Sequence, residues 1–493
     1  MKQMNFGRNV AIHPANYFAP RNEEEVLELL NRFKGHTIRC IGRLHSWSRI
    51  LESPDVLLDL RQLNAVEPVE DGAMKSVVVG ASCQISRLLA ELQRQKNWTL
   101  PSVGFITEQT VAGAIATGTH GSGRHSLSHY VLSIRIAHYD PQTGSAIISE
   151  ITSGEALQAA RCSLGCLGVI LSVRMQCREM YSVEEQFREY HQLADILDAE
   201  KLFPLQQFYL VPWRWSYFAQ HRRETSAAHS PWLVAYQWYR FVVFDVAMCS
   251  MILLFVRLLR LHAAIRPLFR WIVPACVIQN RPVAGPSGSQ LVMEHELFRH
   301  VELELFVQRS QLDAAMRFVT HALMIAGDNQ TETDTTFRAQ VIDAGCEQQL
   351  QQIRGKYIHH FPVCIRRIMP DETLISMASN AAIEVANDNS PPDEAWYSIT
   401  LTNYQRGAAR EPFYELARFL TVSMAHHFDA RPHWGKLSPL PAADAVQLYP
   451  GFERFKRICD AMDPERNFAN PWTKELLDAA RPSQLVGQQI TEQ

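Results

Sequence analysis

The stretch TVAGAIATGTHGSGRHS, residues 110–126, is the most informative part of this sequence. Four glycines, Gly113, Gly118, Gly121 and Gly123, alternate with threonine and serine, so backbone N–H groups are left uncovered by large side chains. Such a loop can approach a phosphate or a flat ring closely, although an ordinary surface loop has a similar composition. Its many small residues argue against a packed helix. The spacing matches neither the GxGxxG of a dinucleotide-binding strand–helix turn nor the GxxxxGK[ST] of nucleoside triphosphatases.

The residues before and after this stretch alternate between helix and strand patterns. Apolar residues recur at helical spacing over 23–33, and Asn22 is a suitable start signal. Ser82 is placed to cap a second helix over 84–95. Short apolar runs typical of buried strands occupy 38–42, 56–60, 77–80 and 167–175.

A second small turn, IGRLHSWSRI at 41–50, directly follows one of these predicted strands. His45, Ser46 and Ser48 offer hydrogen-bonding groups close to its single glycine. A lone histidine in such a place is more often a cap or a surface residue than a reactive group.

Composition excludes several classes of protein. The chain has 493 residues, of which 47% are hydrophobic, and this length predicts two to four domains with real cores. Lys and Arg number 48 against 51 Asp and Glu, so there is no basic field to recruit nucleic acid. Ten cysteines are too sparse for a disulfide scaffold and are expected to be reduced. The first residues lack an apolar run of signal-peptide length, so we expect a cytoplasmic location.

The pattern changes near residue 178, where we place a domain boundary. The segment 231–278 is strongly apolar, but Asp245 and Arg257 bracket an uncharged run shorter than the ~20 residues that a spanning helix needs. Arginines among leucine, isoleucine and phenylalanine suggest a helix lying on a membrane surface. A buried helical hairpin is the equally supported alternative, and a transmembrane span is disfavoured.

The segment MEHELFRHVELELF at 293–306 suggests a metal site at first sight, because it holds His295, Glu296, His300, Glu302 and Glu304. The spacing is not HExxH, however, and VELELFV alternates like a half-buried strand with its carboxylates towards solvent. We therefore expect no metal here. A helix is expected to follow over 311–326.

Taken together, the motifs resemble those of the vanillyl-alcohol-oxidase-like flavoproteins, and among them the aldonolactone and alditol oxidases. The resemblance rests on GRLHSWS (42–48), on TVAGAIATGTHGSG (110–123), and on RPHWGKL (431–437) with the run at 452–472. It implies an α+β fold of three parts. A two-subdomain FAD-binding domain of the PCMH type would span 1–178, and a substrate or cap domain with an antiparallel sheet and helices would span 179–429. A C-terminal segment, 430–493, would return to the flavin.

The resemblance also implies a cofactor, FAD, bonded covalently to His45. A neutral imidazole is a good nucleophile, and the link would raise the redox potential and prevent loss of the flavin. Val169 and Ile170 would cover the adenine or ribose end by backbone contacts. The remaining cofactor contacts that the resemblance implies are Gly42, Arg43, Leu44, Ser46, Ser102, Gly104, Thr110, Gly113, Ala114, Thr117, Gly118, His120, Gly121 and Lys436.

On the substrate side, the resemblance assigns Arg366 and Lys436 to the stabilisation of the developing alkoxide and of the reduced flavin. Related enzymes carry a Glu-x-Arg pair, whereas Cys364 stands here at the place of the glutamate. A thiol orients a hydroxyl poorly. The role could pass to Glu372 or another acid, the substrate could differ, Cys364 could be a reactive thiol, or the correspondence could be shifted by two residues.

The expected activity is oxidation of a CH–OH group in a sugar-derived lactone or polyol by hydride transfer, with O₂ or another acceptor reoxidising the flavin. Cys364 and the apolar segment favour a second reading, a tailoring oxidoreductase that acts on a larger or apolar alcohol at a membrane surface. A third reading, a membrane-surface binding protein without catalysis, conflicts with the retained His45, Arg366 and Lys436. The expected partners are a small molecule and an electron acceptor, with peripheral membrane contact through 231–278 and no nucleic acid.

Overall fold

The computed structural model describes residues 2–292, 298–380 and 394–479, and within them the first 178 residues build two main sheets and contribute to two small two-stranded ones. Three parallel strands form the smaller sheet, in the order Asn16–Phe18, Val56–Asp59 and Ile38–Ile41. Five antiparallel strands form the larger one, in the order Ala146–Ile151, Val131–Tyr139, Val169–Gln176, Met74–Gly80 and Val66–Asp71. All four predicted strand runs are therefore confirmed.

The helices of this part are Glu23–Arg32, Ile85–Lys96, Val111–Ala116 and Gly154–Ala160. The first begins where the sequence predicts, because the Asn22 side chain accepts a hydrogen bond from the N–H of Glu25 at 2.9 Å. Ser82 does not cap the second helix, so that prediction is wrong: the cap position is Gln84, and the Ser82 N–H is bound to the carbonyl of Leu63. A turn follows strand Met74–Gly80, so the helix begins two residues later than a cap at Ser82 would place it.

The glycine-rich stretch also differs from expectation, because Val111–Ala116 is a short helix. The Thr110 hydroxyl accepts from the N–H of Gly113, and Val111 and Ile115 are buried, which outweighs the low helix propensity of glycine. The loop follows immediately. At Gly123, with φ +75°, an added Cβ would lie 1.9 Å from the carbonyl oxygen of Pro204, so only glycine lets the loop approach the second domain this closely.

Residues 182–432 build a third main sheet, called the large sheet below. It is antiparallel throughout and has eight strands within the described residues. Its strands, in spatial order, are Val283–Pro286, Ser182–Tyr190, Ser216–Thr225, Gln207–Val211, Val363–Ile368, Trp396–Asn403, Val301–Gln308 and Arg431–Pro432. Shorter helices of this domain are Leu193–Ala199, Thr335–Asp343 and Glu347–Ile353.

The two faces of this sheet have different partners. Leu303, Leu305 and Val307 belong to an apolar core with residues of the long helices Leu312–Gly327 and Glu411–Phe428. Alternation along the strand sends Glu302 and Glu304 to the opposite face. The prediction that these carboxylates point to solvent is wrong, because that face is covered and Glu304 is only 2% exposed.

The segment 231–278 is a helical hairpin, called the cap hairpin below. Its first arm is the helix Leu233–Leu258, which is long and apolar enough to cross a membrane, although length and composition are weak evidence. Its second arm runs over 265–275. Inward-facing residues of the two arms form a separate apolar core with strand residues such as Phe218. One face of the cap hairpin therefore packs against the rest of the protein.

The C-terminal helices are Ala442–Gln447, Phe452–Met462 and Pro471–Ala479. They pack into the core of the first domain rather than that of the second. Arg39, on a strand of the small parallel sheet, donates to the carbonyls of Gly165 and Phe468, which ties the returning chain to the first domain. Of the predicted last segment, residues 480–493 lie outside the described residues.

Candidate functional site

Two adjoining cavities lie between the sheets. The first, called the groove, encloses about 1110 Å³ and is lined mainly by the first domain. The second, called the chamber, encloses about 1440 Å³ and lies against the polar face of the large sheet. Gln109, His433 and Lys436 line both cavities, so a ligand in the groove would end where the chamber begins.

Many of the predicted cofactor contacts meet in the groove. They are Gly42, Arg43, Leu44, His45, Ser46, Thr110, Gly113, Thr117, Ile170 and Lys436. The turn 42–46 lies very close to the helix Val111–Ala116, because an added Cβ at Gly42 would come within 2.2 Å of the Thr110 hydroxyl. His45 is half-buried and stacks on Phe6 with ring centroids 5.0 Å apart. The groove therefore joins both glycine-containing turns that the sequence singles out.

Other predicted contacts lie elsewhere. Ala114 and Val169 are buried in the core of the first domain, so their strand or helix neighbours line the groove instead. Gly118 packs near Met377, and Gly104 near Thr119. Ser102 and Gly121 line a smaller cavity of about 390 Å³. His120 lines the chamber and not the groove.

The groove has the shape and chemistry that a flavin dinucleotide requires. Its glycine-rich middle leaves backbone groups within reach of a diphosphate. Apolar side chains such as Leu164 and Phe468 also line the groove, and Gln109, His433 and Lys436 are shared with the chamber. A planar ring held beside Lys436 would have one side open to the chamber. The residues present therefore fit FAD.

At the junction, Lys436 forms an ion pair with Glu302. Its ammonium nitrogen also lies 4.2 Å from the ring centroid of Trp47, a cation–π contact. Burial opposes charge on Glu302, but Lys436 and His300 outweigh it and hold the carboxyl pKa well below its ordinary value. Lys436 and Glu302 are therefore both charged in the folded protein.

Glu304 lies two residues after Glu302, on the same face of the strand Val301–Gln308. Its Oε1 is 3.3 Å from Nε2 of His120 and accepts a hydrogen bond from the Thr400 hydroxyl at 3.0 Å. Burial opposes its charge, but the neighbouring His120, His433 and Lys436 hold its pKa well below the ordinary value. Both chamber carboxylates are thus ionised despite deep burial.

Arg366 and Cys364 also reach the chamber. Nε of Arg366 donates to the Gln207 side chain at 3.3 Å, and its guanidinium lies 5.1 Å from the Phe105 ring centroid. Burial raises the pKa of the Cys364 thiol, and Arg366 offsets this only in part. Because the thiolate is the reactive form of cysteine, a raised pKa argues against the reactive-cysteine alternative. Glu372 is exposed and does not line the chamber, so it cannot replace the missing glutamate.

Several site residues escaped the sequence analysis. His433 belongs to the same HWGK motif as Lys436, and burial lowers its pKa to about 3, so its ring is neutral. Gln207 and Tyr209 pair with Arg366 and Cys364 on the neighbouring strand, a relation that no spacing in the sequence shows. Glu302 and Glu304 were noticed but assigned to the wrong face. Of the residues in the acidic segment, His295 and Glu296 lie outside the described residues.

Most of the remaining chamber lining is apolar, although Gln220 and Arg240 also reach it. Its aliphatic and aromatic lining comes from the sheet and from both arms of the cap hairpin: Phe187, Val211, Phe218, Phe244, Met248, Val273, Pro274, Val277 and Phe361. Lys436 and His433 lie where the chamber meets the groove, whereas Arg240, paired with the buried Glu185, lines the chamber away from the groove. The chamber is therefore suited to a molecule with one polar end and an apolar body.

Comparison with known proteins agrees with this geometry. A model of the FAD binding domain matches residues 14–141, and a model of the D-arabinono-1,4-lactone oxidase family matches residues 178–476. A long-chain alcohol oxidase from an uncultured marine euryarchaeote is 47% identical over 97% of both chains. L-gulonolactone oxidase from Bos taurus is 23% identical over 97% of this chain and 98% of its own.

Among solved structures, cholesterol oxidase from B. sterolicum has the same fold. It superposes with a TM-score of 0.71 over 97% of this chain and 96% of its own, at 16% sequence identity. The two family matches, the 47% identical relative and the paired turns around the groove all point to the same family. The chain belongs to the D-arabinono-1,4-lactone oxidase family of FAD-dependent oxidoreductases, within the vanillyl-alcohol-oxidase-like superfamily.

Proposed function

We propose that this protein oxidises the terminal hydroxyl of a long-chain, apolar primary alcohol to the aldehyde. The observation that carries the proposal is the chamber itself, whose apolar body ends in charged groups beside the groove. A sugar lactone carries hydroxyls along its whole length and would leave them unpaired against this lining. The 47% identical relative, a long-chain alcohol oxidase, supports the same substrate class.

The polar end of the chamber would hold the hydroxyl. FAD supplies a two-electron acceptor for the hydride when it is bound in the groove. Arg366 and Lys436 would stabilise negative charge on the substrate oxygen, each by an electrostatic contribution of about 3 kcal/mol. Gln207 orients Arg366 through the hydrogen bond to Nε. His45 would carry the flavin covalently, since it lines the groove within the turn 42–46.

The cap hairpin would bring the chamber to a lipid surface. Of the fourteen large apolar side chains that are exposed among the described residues, ten lie within 231–278. Trp238 is 63% and Trp271 is 61% exposed, one on each arm. The charged residues of the hairpin that face solvent are Arg260 and Arg270, whereas its acidic residue, Asp245, is buried. Tryptophan with cationic side chains is typical of an interfacial helix on anionic lipid.

The helix Leu233–Leu258 would lie on the membrane rather than cross it. Arg240 contacts the buried Glu185 at 3.4 Å, and Tyr236 donates to the same carboxylate at 2.6 Å. Phe244 and Met248 line the chamber from the same helix. A helix with one face bound to the sheet cannot surround itself with lipid, but its other face can enter the interface. Apolar alcohols could then pass from the bilayer into the chamber between the arms.

The test is anaerobic bleaching of the bound flavin by a series of primary alcohols from butanol to hexadecanol, beside aldonolactones and alditols. Each methylene that enters the chamber contributes about 0.8 kcal/mol, so the apparent second-order rate constant should rise roughly fourfold per carbon until the chamber is full. Rapid bleaching by lactones or alditols, with no dependence on alkyl length, would show a polyol or lactone oxidase instead. O₂ or another acceptor would reoxidise the flavin. Measuring oxygen consumption during turnover shows whether O₂ is that acceptor.

A further inference from the structure

The large sheet supplies a carboxylate near the position where related enzymes carry one, but from a different strand. Directly opposite residues of neighbouring strands share a face of a sheet. Cys364 lies opposite Thr400, and Thr400 lies opposite Glu304. Cys364, Thr400 and Glu304 thus form one row across the chamber floor, and all three line the chamber. Glu304 stands two strands, ~9.6 Å, from the cysteine along this row.

The hydrogen bonds of His120 indicate that a proton lies between its ring and the Glu304 carboxylate. Nδ1 of His120 lies 2.9 Å from the carbonyl oxygen of Gly121, and because a carbonyl only accepts, Nδ1 carries a hydrogen. Nε2 then faces the Glu304 carboxylate at 3.3 Å. Two lone pairs would repel each other at this distance, so a second proton must lie between the two groups. His120 and Glu304 are 4% and 2% exposed, so this contact lies deep in the chamber wall.

The other titratable groups at this end of the chamber are less suited to accept a proton. Lys436 is already a cation paired with Glu302, and Arg366 is a guanidinium. Burial raises the pKa of Cys364, so its sulfur is protonated. Nδ1 of His433 accepts the N–H of Gly435 at 3.0 Å, so the neutral ring carries its hydrogen on Nε2 and has no free lone pair. Thr400 and His120 both contact Oε1 of Glu304, which leaves Oε2 for a ligand.

We propose that Glu304, held by His120 and Thr400, is the proton acceptor of the oxidation and takes the role of the glutamate that Cys364 replaces. The inference rests on the proposed alcohol oxidation. The carbinol C–H bond breaks and both its electrons leave with the hydrogen to the flavin. The O–H bond breaks and its proton passes to Oε2 of Glu304, while its electron pair becomes the second bond of the aldehyde C=O. A weakly basic carboxylate suffices, because the hydroxyl becomes strongly acidic as the hydride leaves.

This arrangement also places charge favourably. Before the reaction the Glu304–His120 pair is neutral overall, and after it the pair holds one extra positive charge. That charge arises beside the groove, where two electrons have just arrived. The proton therefore compensates the added electrons within the same low-dielectric site.

The first test compares Glu304→Gln with Glu372→Gln in anaerobic stopped-flow reduction of the bound flavin by a long-chain alcohol. Glutamine keeps the shape of Glu304 and can still accept from Thr400, but it cannot take a proton. General-base catalysis contributes about 10²–10⁴-fold, so reduction of the Glu304→Gln flavin should slow at least a hundredfold. Glu372 is exposed and away from the chamber, so its variant should match the wild type. A Glu304→Gln rate within threefold of wild type would overturn the proposal.

A second variant distinguishes loss of the proton acceptor from structural damage caused by Glu304→Gln. Adding Cys364→Glu to Glu304→Gln returns a carboxylate to the same row, and flavin reduction should recover at least tenfold. Infrared difference spectra give a readout that does not depend on turnover. Reduction by alcohol should produce a carboxylic-acid C=O band in the wild type that Glu304→Gln lacks. A band that persists in the variant would contradict the assignment.

The two proposals fail differently. If no alcohol bleaches the wild-type flavin, the proposed function fails and the inference falls with it. If alcohols bleach wild type and Glu304→Gln equally, the function stands and the inference fails. His120, Glu304 and His433 also have ligand atoms within 4.8 Å of one another. Stoichiometric metal in purified holoenzyme, with activity lost on chelation, would make Glu304 a metal ligand and would overturn the inference.

Discussion

Single charged residues at the junction of groove and chamber are held in fixed states by their neighbours. Lys436 keeps Glu302 ionised, and His120 does the same for Glu304. Unpaired, either carboxylate would carry a desolvation cost of several kcal/mol at this depth. The pairing therefore stabilises two buried carboxylates beside the groove.

His45 carries the prediction that belongs to this scale. If it bonds to the flavin, denatured wild-type protein should retain flavin fluorescence on a gel, whereas His45→Ala should release the flavin into the supernatant after acid precipitation. The groove itself would remain, because its other lining residues come from the turn, the helix Val111–Ala116 and the C-terminal return. Noncovalent FAD should therefore still bind the variant before denaturation.

The matched control for this experiment is His36→Ala, an exposed histidine away from the groove. It should behave like the wild type. Flavin that still migrates with the His45→Ala chain would show that the covalent link, if there is one, is made by another residue.

At the scale of elements, the cap hairpin has two faces with different surroundings. The inner face closes the chamber through Phe244, Met248 and Val273, and the outer face presents Trp238 and Trp271 to the surroundings. The substrate and the membrane would thus be recognised by the same helices. Changes on the outer face should leave the chamber intact, so the two tasks can be separated by mutation.

We expect the wild-type protein to float with vesicles of phosphatidylcholine and phosphatidylglycerol in a density gradient. Trp238→Ser combined with Trp271→Ser should reduce the vesicle-bound fraction at least tenfold, because two large interfacial side chains are lost. Reduction of the flavin by an alcohol in detergent should be unchanged. Arg260→Gln with Arg270→Gln should weaken binding to the anionic vesicles only.

Leu202→Ser provides the control. Leu202 is 65% exposed, similar to the two tryptophans, but lies outside the hairpin. If its loss lowers flotation as much as the tryptophan changes do, the contact is nonspecific. If the wild type does not float with either anionic or neutral vesicles, the hairpin does not dock on lipid.

At the scale of the whole molecule, the site exists only because three distant parts of the chain meet. The first domain contributes the turns at 42–46 and 110–121, the second contributes the chamber floor, and the C-terminal return contributes Lys436. Burial of polar groups accompanies this assembly. Burial lowers the pKa of His129 and His221 to about 4 and that of His360 and His433 to about 3.

These histidines predict how stability depends on pH. An unfolded histidine has a pKa of ~6.5, so below this pH the unfolded chain binds protons that the folded chain refuses. The free energy of unfolding should therefore fall as pH drops from about 6.5 towards 4, by roughly 1 kcal/mol per histidine per pH unit. At His360 a hydrogen bond acts in the same direction as burial, because Nε2 accepts the N–H of Tyr404 at 3.1 Å and cannot do so when protonated.

Urea denaturation at pH 7.5 and pH 5.5 checks this expectation, with a lower midpoint at pH 5.5. His221→Gln should flatten the pH dependence by the share of one histidine, whereas the exposed His36→Gln should leave it unchanged. Equal midpoints for the wild type at both pH values would contradict the assignment of neutral, buried histidines.

The sequence alone determined the family-level features: the strand and helix pattern of the first domain, the glycine-rich turns, the HWGK motif and hence FAD and the α+β fold. Local patterns sufficed there because a tight turn or a close backbone approach demands particular residues at particular spacings. The sequence could not decide which face of VELELFV is buried, because a strand with alternating glutamates reads the same whether its charges meet water or partners from elsewhere. It could not decide between a buried and an interfacial hairpin, because both are apolar.

Only the tertiary structure showed that Glu304 lies in one row with Cys364 and against His120. These residues are far apart in the chain, and strand pairing alone sets their register. The charge of a buried carboxylate depends on such neighbours, which is why the chemistry of this site follows from the assembled sheet and not from its separate segments.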